Sequence, residues 1–218
     1  MVWGRNDIAK VKLDQVPSYE DGSRFLLGFN EPNIRTQSNI TAAEACAIWP
    51  TVDAAAKQKN LSLGSPGVNH CHFEPAGHCF ADPLQWLSDF FACLPQASAK
   101  NVAFIHAHYY GCNASAVLEF VHELHTQFGG RPVWLTEFAC SYHDEASNLA
   151  YMKELLPQLD ALPASELARY SWYASRTDQT AGPGHGRNAN TTLLFPGTSA
   201  RTSLGEYYMM QQHTVPRN

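Results

Sequence analysis

Short apolar runs alternate with longer amphipathic segments along this chain of 218 residues. The apolar runs are rich in β-branched and aromatic residues and are bounded by Gly or Pro, which is typical of buried strands. Five runs have this character, at residues 25–29, 61–66, 102–109, 133–138 and 169–173. A further short run, at 193–195, is a candidate for an extra strand.

Helical patterns lie between these runs. The first opens with a capping box, Thr41 with Glu44, and should kink at Pro50. The second opens with Asp82 as its cap and Pro83 at its first position. Four helices are predicted, at about 41–58, from 82 onward, at about 117–128 and at about 148–162.

The alternation of strand and helix, in steps of roughly 30 to 40 residues, predicts βα units and a parallel sheet. The period alone does not decide between a closed barrel and an open sheet. No Gly-rich phosphate loop follows the first strand, which argues against a nucleotide-binding doubly wound sheet. We expect one domain over residues 1–218. A Gly-rich loop is expected at 177–190, where it could cover the site.

The charge balance narrows the class of partner. The formal net charge is −5 and no basic stretch is present, so a nucleic-acid partner is not expected. Charged residues make up only 16% of the chain, which suits neutral substrates such as sugars better than phosphorylated ones. No apolar run is long enough to span a bilayer.

Glycosylation sequons and cysteines indicate a secretory, extracellular or cell-wall protein whose signal peptide is not in this chain. Asn-x-Ser/Thr sites occur at Asn39, Asn60, Asn113 and Asn190, and the chain has six cysteines. A cytosolic protein with free thiols is the alternative.

The cysteine spacings favour disulfides over a metal site. His70, Cys71, His72, His78 and Cys79 look like a metal cluster, but their spacing is irregular, so a local disulfide between Cys71 and Cys79 is the better hypothesis and no metal or cofactor is expected. A metal-dependent hydrolase that uses this loop is the remote alternative. Cys112 and Cys140 each follow a strand and could also pair.

Two glutamates carry the candidate chemistry. Glu31 lies in the sequence Asn-Glu-Pro just after the first strand, and Glu137 lies in Thr-Glu-Phe at the end of a later one. A carboxylate in an apolar strand is costly unless it has a partner or a task. The carboxyl ends of parallel strands form the active-site rim of a barrel, and glycoside cleavage needs such a pair. For either glutamate alone, a buried ion pair or a helix cap would be the simpler interpretation.

The segments around these glutamates resemble glycoside hydrolase family 128. Residues 26–33, Leu-Leu-Gly-Phe-Asn-Glu-Pro-Asn, resemble a family signature, and residues 134–139 resemble its second glutamate motif. Residues 108–111, His-Tyr-Tyr-Gly, are similar to the family's His-Trp-Tyr-Gly motif, with Tyr109 in place of Trp. Residues 63–66 and 170–173 also look like family strands, in the expected order.

The resemblance implies a TIM (β/α)8-type barrel and retaining endo-hydrolysis of β-1,3-glucan. It implies that Glu31 is the acid/base at the end of the fourth strand and that Glu137 is the nucleophile near the end of the seventh. The remaining expected contacts are to the substrate or to these two acids. Asn30 is expected to bond the sugar 2-hydroxyl or to orient the nucleophile, and His108 to bond sugar or a glutamate. Tyr110 is expected to bond Glu137. The rings of Tyr109 and Trp172 are expected to stack on sugar rings. For His108, Tyr109 and Trp172, plain core packing is the alternative.

The resemblance is incomplete at the start of the chain. Val2-Trp3-Gly4 resembles the family's third strand, so the first one or two βα units of the barrel are expected to be lacking. An incomplete barrel leaves a second hypothesis, a catalytically impaired β-glucan-binding protein. In either case the expected partner is a β-glucan polysaccharide or oligosaccharide, bound by a monomer.

Overall fold

The computed structural model describes residues 1–6, 17–18, 20–71, 77–141, 143–177 and 189–212. The strands of these ranges form one curled sheet in which each paired neighbour is parallel. The six strands are β1 (Phe25–Leu26), β2 (Ser62–Gly64), β3 (Val68–Asn69), β4 (Val102–Tyr109), β5 (Val133–Phe138) and β6 (Leu167–Trp172).

The sheet order is β1-β2-β4-β5-β6, and β3 pairs with the end of β4. Parallel neighbours require crossover connections, which helices supply along most of the chain. The predicted parallel α/β architecture is therefore confirmed, as an incomplete barrel rather than a flat sheet. The first predicted strand is shorter than expected, since after Leu26 pairing resumes only in a single bridge between Asn30 and Gly67.

The described helices are α1 (Ala42–Gln58), α2 (Pro83–Cys93), α3 (Gln96–Asn101), α4 (Ala114–Gln127), α5 (Glu145–Ala161) and α6 (Ser203–Gln212). The capping box of Thr41 and Glu44 is present, and the Asp82 side chain accepts a hydrogen bond from Gln85 N. Helices α3 and α6 were not predicted, because their short sequences lack a clear apolar stripe.

Two further predictions concern the last third of the chain. The run 193–195 is not a strand of the sheet, because Leu194 forms only one antiparallel bridge, with Arg201, and Phe195 is exposed. Most of the expected loop at 177–190 lies outside the described residues. Its end is a short 3-10 turn, Ala189–Thr191.

Three disulfides include all six cysteines of the chain. The predicted pair Cys71–Cys79 is confirmed, Cys112–Cys140 is the pair that the sequence left open, and Cys46–Cys93 joins α1 to α2. Within the described ranges, none of the helices has the length and apolarity needed to cross a membrane.

Residues of β4 alternate between two environments, and this alternation positions the site. The ring of Tyr109 packs 5.9 Å from the ring of Phe120 on α4, so this side of the strand faces the helix layer. His106 and His108 point to the opposite side, inside the curl of the sheet.

Candidate active site

The backbone at Glu31 places its side chain at the carboxyl end of the sheet. Glu31 N donates to Gly67 O at 2.8 Å, next to the bridge between Asn30 and Gly67. Glu31 has φ +41°, a left-handed conformation that is uncommon for a residue with a side chain. Such conformations persist only where surrounding contacts hold them, and they cluster at functional sites.

The Glu31 carboxylate is buried and bonded on one oxygen by two groups. Oε1 lies 2.9 Å from Asn69 Nδ2 and 2.8 Å from His108 Nδ1. The Glu31 side chain is only 2% exposed. A buried carboxylate needs such partners, since an unpaired one would carry a large desolvation cost.

The orientation of Asn69 is fixed by its other contacts. Its Oδ1 accepts from Cys71 N at 2.8 Å, so its Nδ2 must be the atom that faces Glu31. Asn33 holds the Asn69 backbone on both sides, by donating to Asn69 O and accepting from Asn69 N. The disulfide Cys71–Cys79 begins two residues later and secures the same turn.

Glu137 has a more open setting. It lies near the end of β5, and its side chain is 20% exposed. The Tyr110 hydroxyl donates a short hydrogen bond to Glu137 Oε2. His108 Nδ1 is 3.6 Å from the same oxygen, so His108 lies between the two glutamates.

Glu31 and Glu137 face one another across this histidine. One ligand atom from each of Glu31, His108 and Glu137 lies within 4.8 Å of the other two. Such a group could also hold a metal ion. Cys112, Cys140 and His143 are similarly close, but the two sulfurs are in a disulfide and are not thiolate ligands.

Three residues that were predicted to contact the substrate make other contacts in the structure. Asn30 Nδ2 donates to Gln37 Oε1 at 3.2 Å. Tyr109 is 1% exposed and Trp172 3% exposed, with the Trp172 indole N–H bonded to Thr191 O. Both rings belong to the core rather than to a sugar-stacking surface, because their strand positions turn them towards the helices.

The site also includes three residues that the sequence pattern did not single out, Asn69, Asn33 and His106. Asn33 lies inside the family-like segment 26–33, which was a usable signal. Asn69 ends the short strand β3, which the sequence pattern does not distinguish from a loop. His106 shares a strand face with His108, and alternation alone predicts that the two rings are neighbours.

A cavity of about 810 Å³ lies towards the other end of the sheet. Its lining includes Phe25, Phe104, Trp134 and Arg169, whose guanidinium lies over the rings of Phe25 and Trp134. Neither glutamate lines it, so this cavity is separate from the candidate site at the strand ends.

A family model described as glycosyl hydrolase catalytic core matches residues 1–208. The chain belongs to this family. Alkali-sensitive linkage protein 1 of Schizosaccharomyces pombe is 30% identical over 207 residues, which are 90% of this chain and 34% of that protein. The chain thus spans about a third of the length of this curated relative.

Solved structures of family members have the same fold. A GH128 subgroup II endo-β-1,3-glucanase from Sorangium cellulosum matches with a TM-score of 0.78 and 33% identity, over 100% of this chain and 80% of that one. A subgroup I endo-β-1,3-glucanase mutant from Amycolatopsis mediterranei, in complex with laminaritriose and laminaribiose, matches with a TM-score of 0.70 and 25% identity, over 95% and 79%. The resemblance to glycoside hydrolase family 128 is confirmed.

Proposed function

We propose that this chain is a retaining endo-β-1,3-glucanase in which Glu31 is the acid/base and Glu137 the nucleophile. The observation that carries the proposal is the approach of the two carboxylates, whose nearest oxygens are within 4.8 Å. Retaining glycosidases have carboxyl groups about 5 to 5.5 Å apart, whereas inverting ones leave about 6.5 to 9.5 Å for a water molecule. The short separation supports direct attack by one carboxylate.

The different surroundings of the two acids support their separate roles. Glu31 is almost wholly buried, which favours the neutral form that an acid needs before it donates a proton. Its contacts with Asn69 and His108 stabilise the anion that remains afterwards. Glu137 is more exposed, so a substrate can reach it, and the hydrogen bond from Tyr110 orients its carboxylate.

The reaction then proceeds in two displacements. Glu137 attacks the anomeric carbon while Glu31 protonates the leaving glycosidic oxygen, which gives a covalent glycosyl-enzyme. Glu31, now a carboxylate, removes a proton from water as that water releases the sugar from Glu137. Tyr110 and His108 hold the two acids in place, and Asn30 remains a proposed contact to the sugar.

The substrate and setting follow from the relatives and from the cysteines. The solved relatives are β-1,3-glucanases, and one is bound to laminari-oligosaccharides. Three disulfides support an oxidising, extracellular location. We extend the proposal to a secreted enzyme that acts inside β-1,3-glucan chains.

The test is hydrolysis of laminarin, followed by reducing-sugar release and by the NMR signal of the first-formed anomer. Wild type should release a range of oligosaccharides with β-anomers first, and Glu31→Gln and Glu137→Gln should each lower the rate of release at least about 100-fold. Glu123→Gln is the matched control, because Glu123 is exposed on α4, and it should keep full activity.

Other outcomes separate the alternatives. First-formed α-anomers would exclude retention, and full activity in either glutamate variant would exclude the assigned pair. Retention of wild type on insoluble β-1,3-glucan without product release would indicate a binding protein instead. Release of a single short product would indicate cleavage from chain ends.

A further inference from the structure

The three ionisable side chains at the centre of the site have the composition of a transition-metal site. One carboxylate oxygen from each of Glu31 and Glu137 and one ring nitrogen of His108 lie within 4.8 Å of one another. The Glu31 and His108 side chains are 2% and 1% exposed, whereas Glu137 is 20% exposed. Imidazole and carboxylate groups are ligands of Zn²⁺, and three protein ligands with a fourth position open to solvent are typical of accessible zinc sites.

The distances between the ligand atoms are close to those around a zinc ion. Zn²⁺ bonds to nitrogen and oxygen are about 2.0 to 2.2 Å long, so tetrahedral ligand atoms are about 3.4 Å apart. His108 Nδ1 lies 2.8 Å from Glu31 Oε1 and 3.6 Å from Glu137 Oε2, on either side of that value. The two carboxylates would need to approach by at most about 1.4 Å, the difference between 4.8 and 3.4 Å, and the partly exposed Glu137 side chain can rotate by this amount.

Both carboxylates already have hydrogen-bond donors that would hold them around an ion. Asn69 Nδ2 donates to Glu31 Oε1 at 2.9 Å, and the Tyr110 hydroxyl donates to Glu137 Oε2. These are the same two oxygen atoms that face His108 Nδ1. Ligating carboxylates in metalloproteins are oriented by outer hydrogen bonds of this kind.

His108 has a matching contact on its other ring nitrogen. A neutral histidine that binds a metal through Nδ1 carries its hydrogen on Nε2, and His108 Nε2 lies 3.3 Å from His106 Nε2. His106 is 1% exposed, and burial, with a smaller contribution from His108, holds its pKa well below the ordinary value. A neutral His106 can accept this hydrogen, as the outer partner of a metal-bound histidine does.

We propose that Glu31, His108 and Glu137 form a binding site for a divalent transition-metal ion such as Zn²⁺, and that the bound ion inhibits hydrolysis. Two carboxylates this close repel one another when both are ionised, and a divalent cation removes that repulsion. Metal binding displaces the proton of Glu31 and engages a lone pair of Glu137. An occupied site therefore lacks both the acid and the nucleophile. This inhibition rests on the proposed function, whereas the binding site itself does not.

The direct test is isothermal titration calorimetry with ZnCl₂ at pH 7, on the full chain after treatment with a chelator that is then removed. We expect one Zn²⁺ per chain, with a dissociation constant in the micromolar range or lower. Glu137→Gln should weaken binding at least about 100-fold, because loss of an outer partner alone costs about 10- to 100-fold. Glu137 is the most exposed of the three ligands, and circular dichroism checks that this variant is folded.

Two controls distinguish this site from binding at the surface. His122 of α4 is 65% exposed and lies 3.0 Å from Glu166, so it offers another pairing of imidazole with carboxylate. His122→Gln should bind Zn²⁺ as wild type does. Mg²⁺ prefers octahedral oxygen coordination and should not compete for the site. Binding that persists in Glu137→Gln, or that is lost in His122→Gln, would overturn the proposal, as would an absence of binding to wild type.

Laminarin hydrolysis tests the inhibition. At laminarin concentrations well below KM, the rate should fall by half at a free Zn²⁺ concentration equal to the dissociation constant, and a chelator should restore it. Full activity with Zn²⁺ bound would overturn the inhibitory role. If wild type releases no sugar without metal, the proposed function fails, and calorimetry on wild type and Glu137→Gln still decides whether the metal site exists.

Discussion

The two glutamates have the same side chain, but the protein holds them in different ways. Glu31 lies in an irregular turn with a left-handed backbone, is almost fully buried, and is bonded by Asn69 and His108. Glu137 lies near the end of a strand, is partly exposed, and accepts from Tyr110. Pairs of acids in contrasting environments divide into acid and nucleophile roles, and the contrast here supports the roles proposed for the two glutamates.

The contacts that hold the two glutamates in place also differ. On the Glu31 side, Asn33, Asn69 and the Cys71–Cys79 disulfide form a chain of contacts that ends on the carboxylate. On the Glu137 side, the Cys112–Cys140 disulfide joins the segments that follow β4 and β5, and no described contact runs from it to the carboxylate.

The largest expected effect is a difference between Glu31→Gln and Glu137→Gln that depends on the leaving group of the substrate. On an aryl β-glucoside oligomer with an acidic phenol, Glu31→Gln should keep most of the first-step rate, because this leaving group needs no protonation. On laminarin the same variant should lose about 10²–10⁴-fold. Glu137→Gln should be inactive on both substrates. Burst kinetics of phenol release measure the first step, and the reverse pattern would exchange the two roles.

The Tyr110→Phe substitution tests the support of the nucleophile. It removes the hydroxyl that donates to Glu137, and a hydrogen bond to a charged group contributes about 1.5–3 kcal/mol. We expect kcat/KM on laminarin to fall roughly 10- to 100-fold, because the nucleophile loses the hydrogen bond that orients it. Tyr207→Phe is the control, since Tyr207 lies on α6, where its ring is next to Lys153 of α5.

The Asn69→Ala substitution makes the matching test on the acid/base. Loss of the amide donor destabilises the ionised form of Glu31, so the residue stays protonated to higher pH. We expect a roughly tenfold loss of kcat and a shift of the alkaline limb, not the acidic one, to higher pH. A shift of the acidic limb instead would contradict the role of Asn69 as a donor to the acid/base.

Removal of the Cys112–Cys140 disulfide should mainly lower stability, whereas removal of the Cys71–Cys79 disulfide should mainly lower activity. The loop-entropy model gives about 2.5 kcal/mol for a bridge between residues 8 apart and about 3.5 kcal/mol for residues 28 apart. Replacing Cys112 and Cys140 with Ala should therefore lower the free energy of unfolding more. Replacing Cys71 and Cys79 should lower kcat more, because that bridge secures the turn of Asn69. Urea unfolding and laminarin assays on both variants check that the order of the two variants in stability is the reverse of their order in kcat.

The smallest effect concerns the pH dependence of stability. His106 has a lowered pKa in the folded protein and an ordinary one, about 6.5, in the unfolded chain. Below pH 6.5 the unfolded chain binds a proton that the folded protein does not, so stability falls as the pH falls. Between pH 7 and 5.5, wild type should lose about 1 kcal/mol more than His106→Gln in urea unfolding. Equal losses would show that His106 is protonated in the folded protein.

Periodicity and local chemistry were sufficient for most of the fold. The strand runs, the capping box at Thr41 and the Asp82-Pro83 helix start are local signals, and each appears in the structure. Cys71 and Cys79 are close in sequence, so their pairing was also predictable. Short elements such as β3 and α3 were missed, because two to six residues are too few to establish a period.

The sequence by itself determined which residues could react. Glu31 and Glu137 stand out because carboxylates at the ends of apolar strands need a reason to be there, and the segments around them carry the family resemblance. Only the tertiary structure decided how the two acids differ. Their separation, the burial of Glu31, the Asn69 contact and the core positions of Tyr109 and Trp172 all depend on which strands lie side by side. Neighbours of this kind are up to 77 positions apart in the chain, as for His108 and Glu31, and no local pattern specifies such contacts.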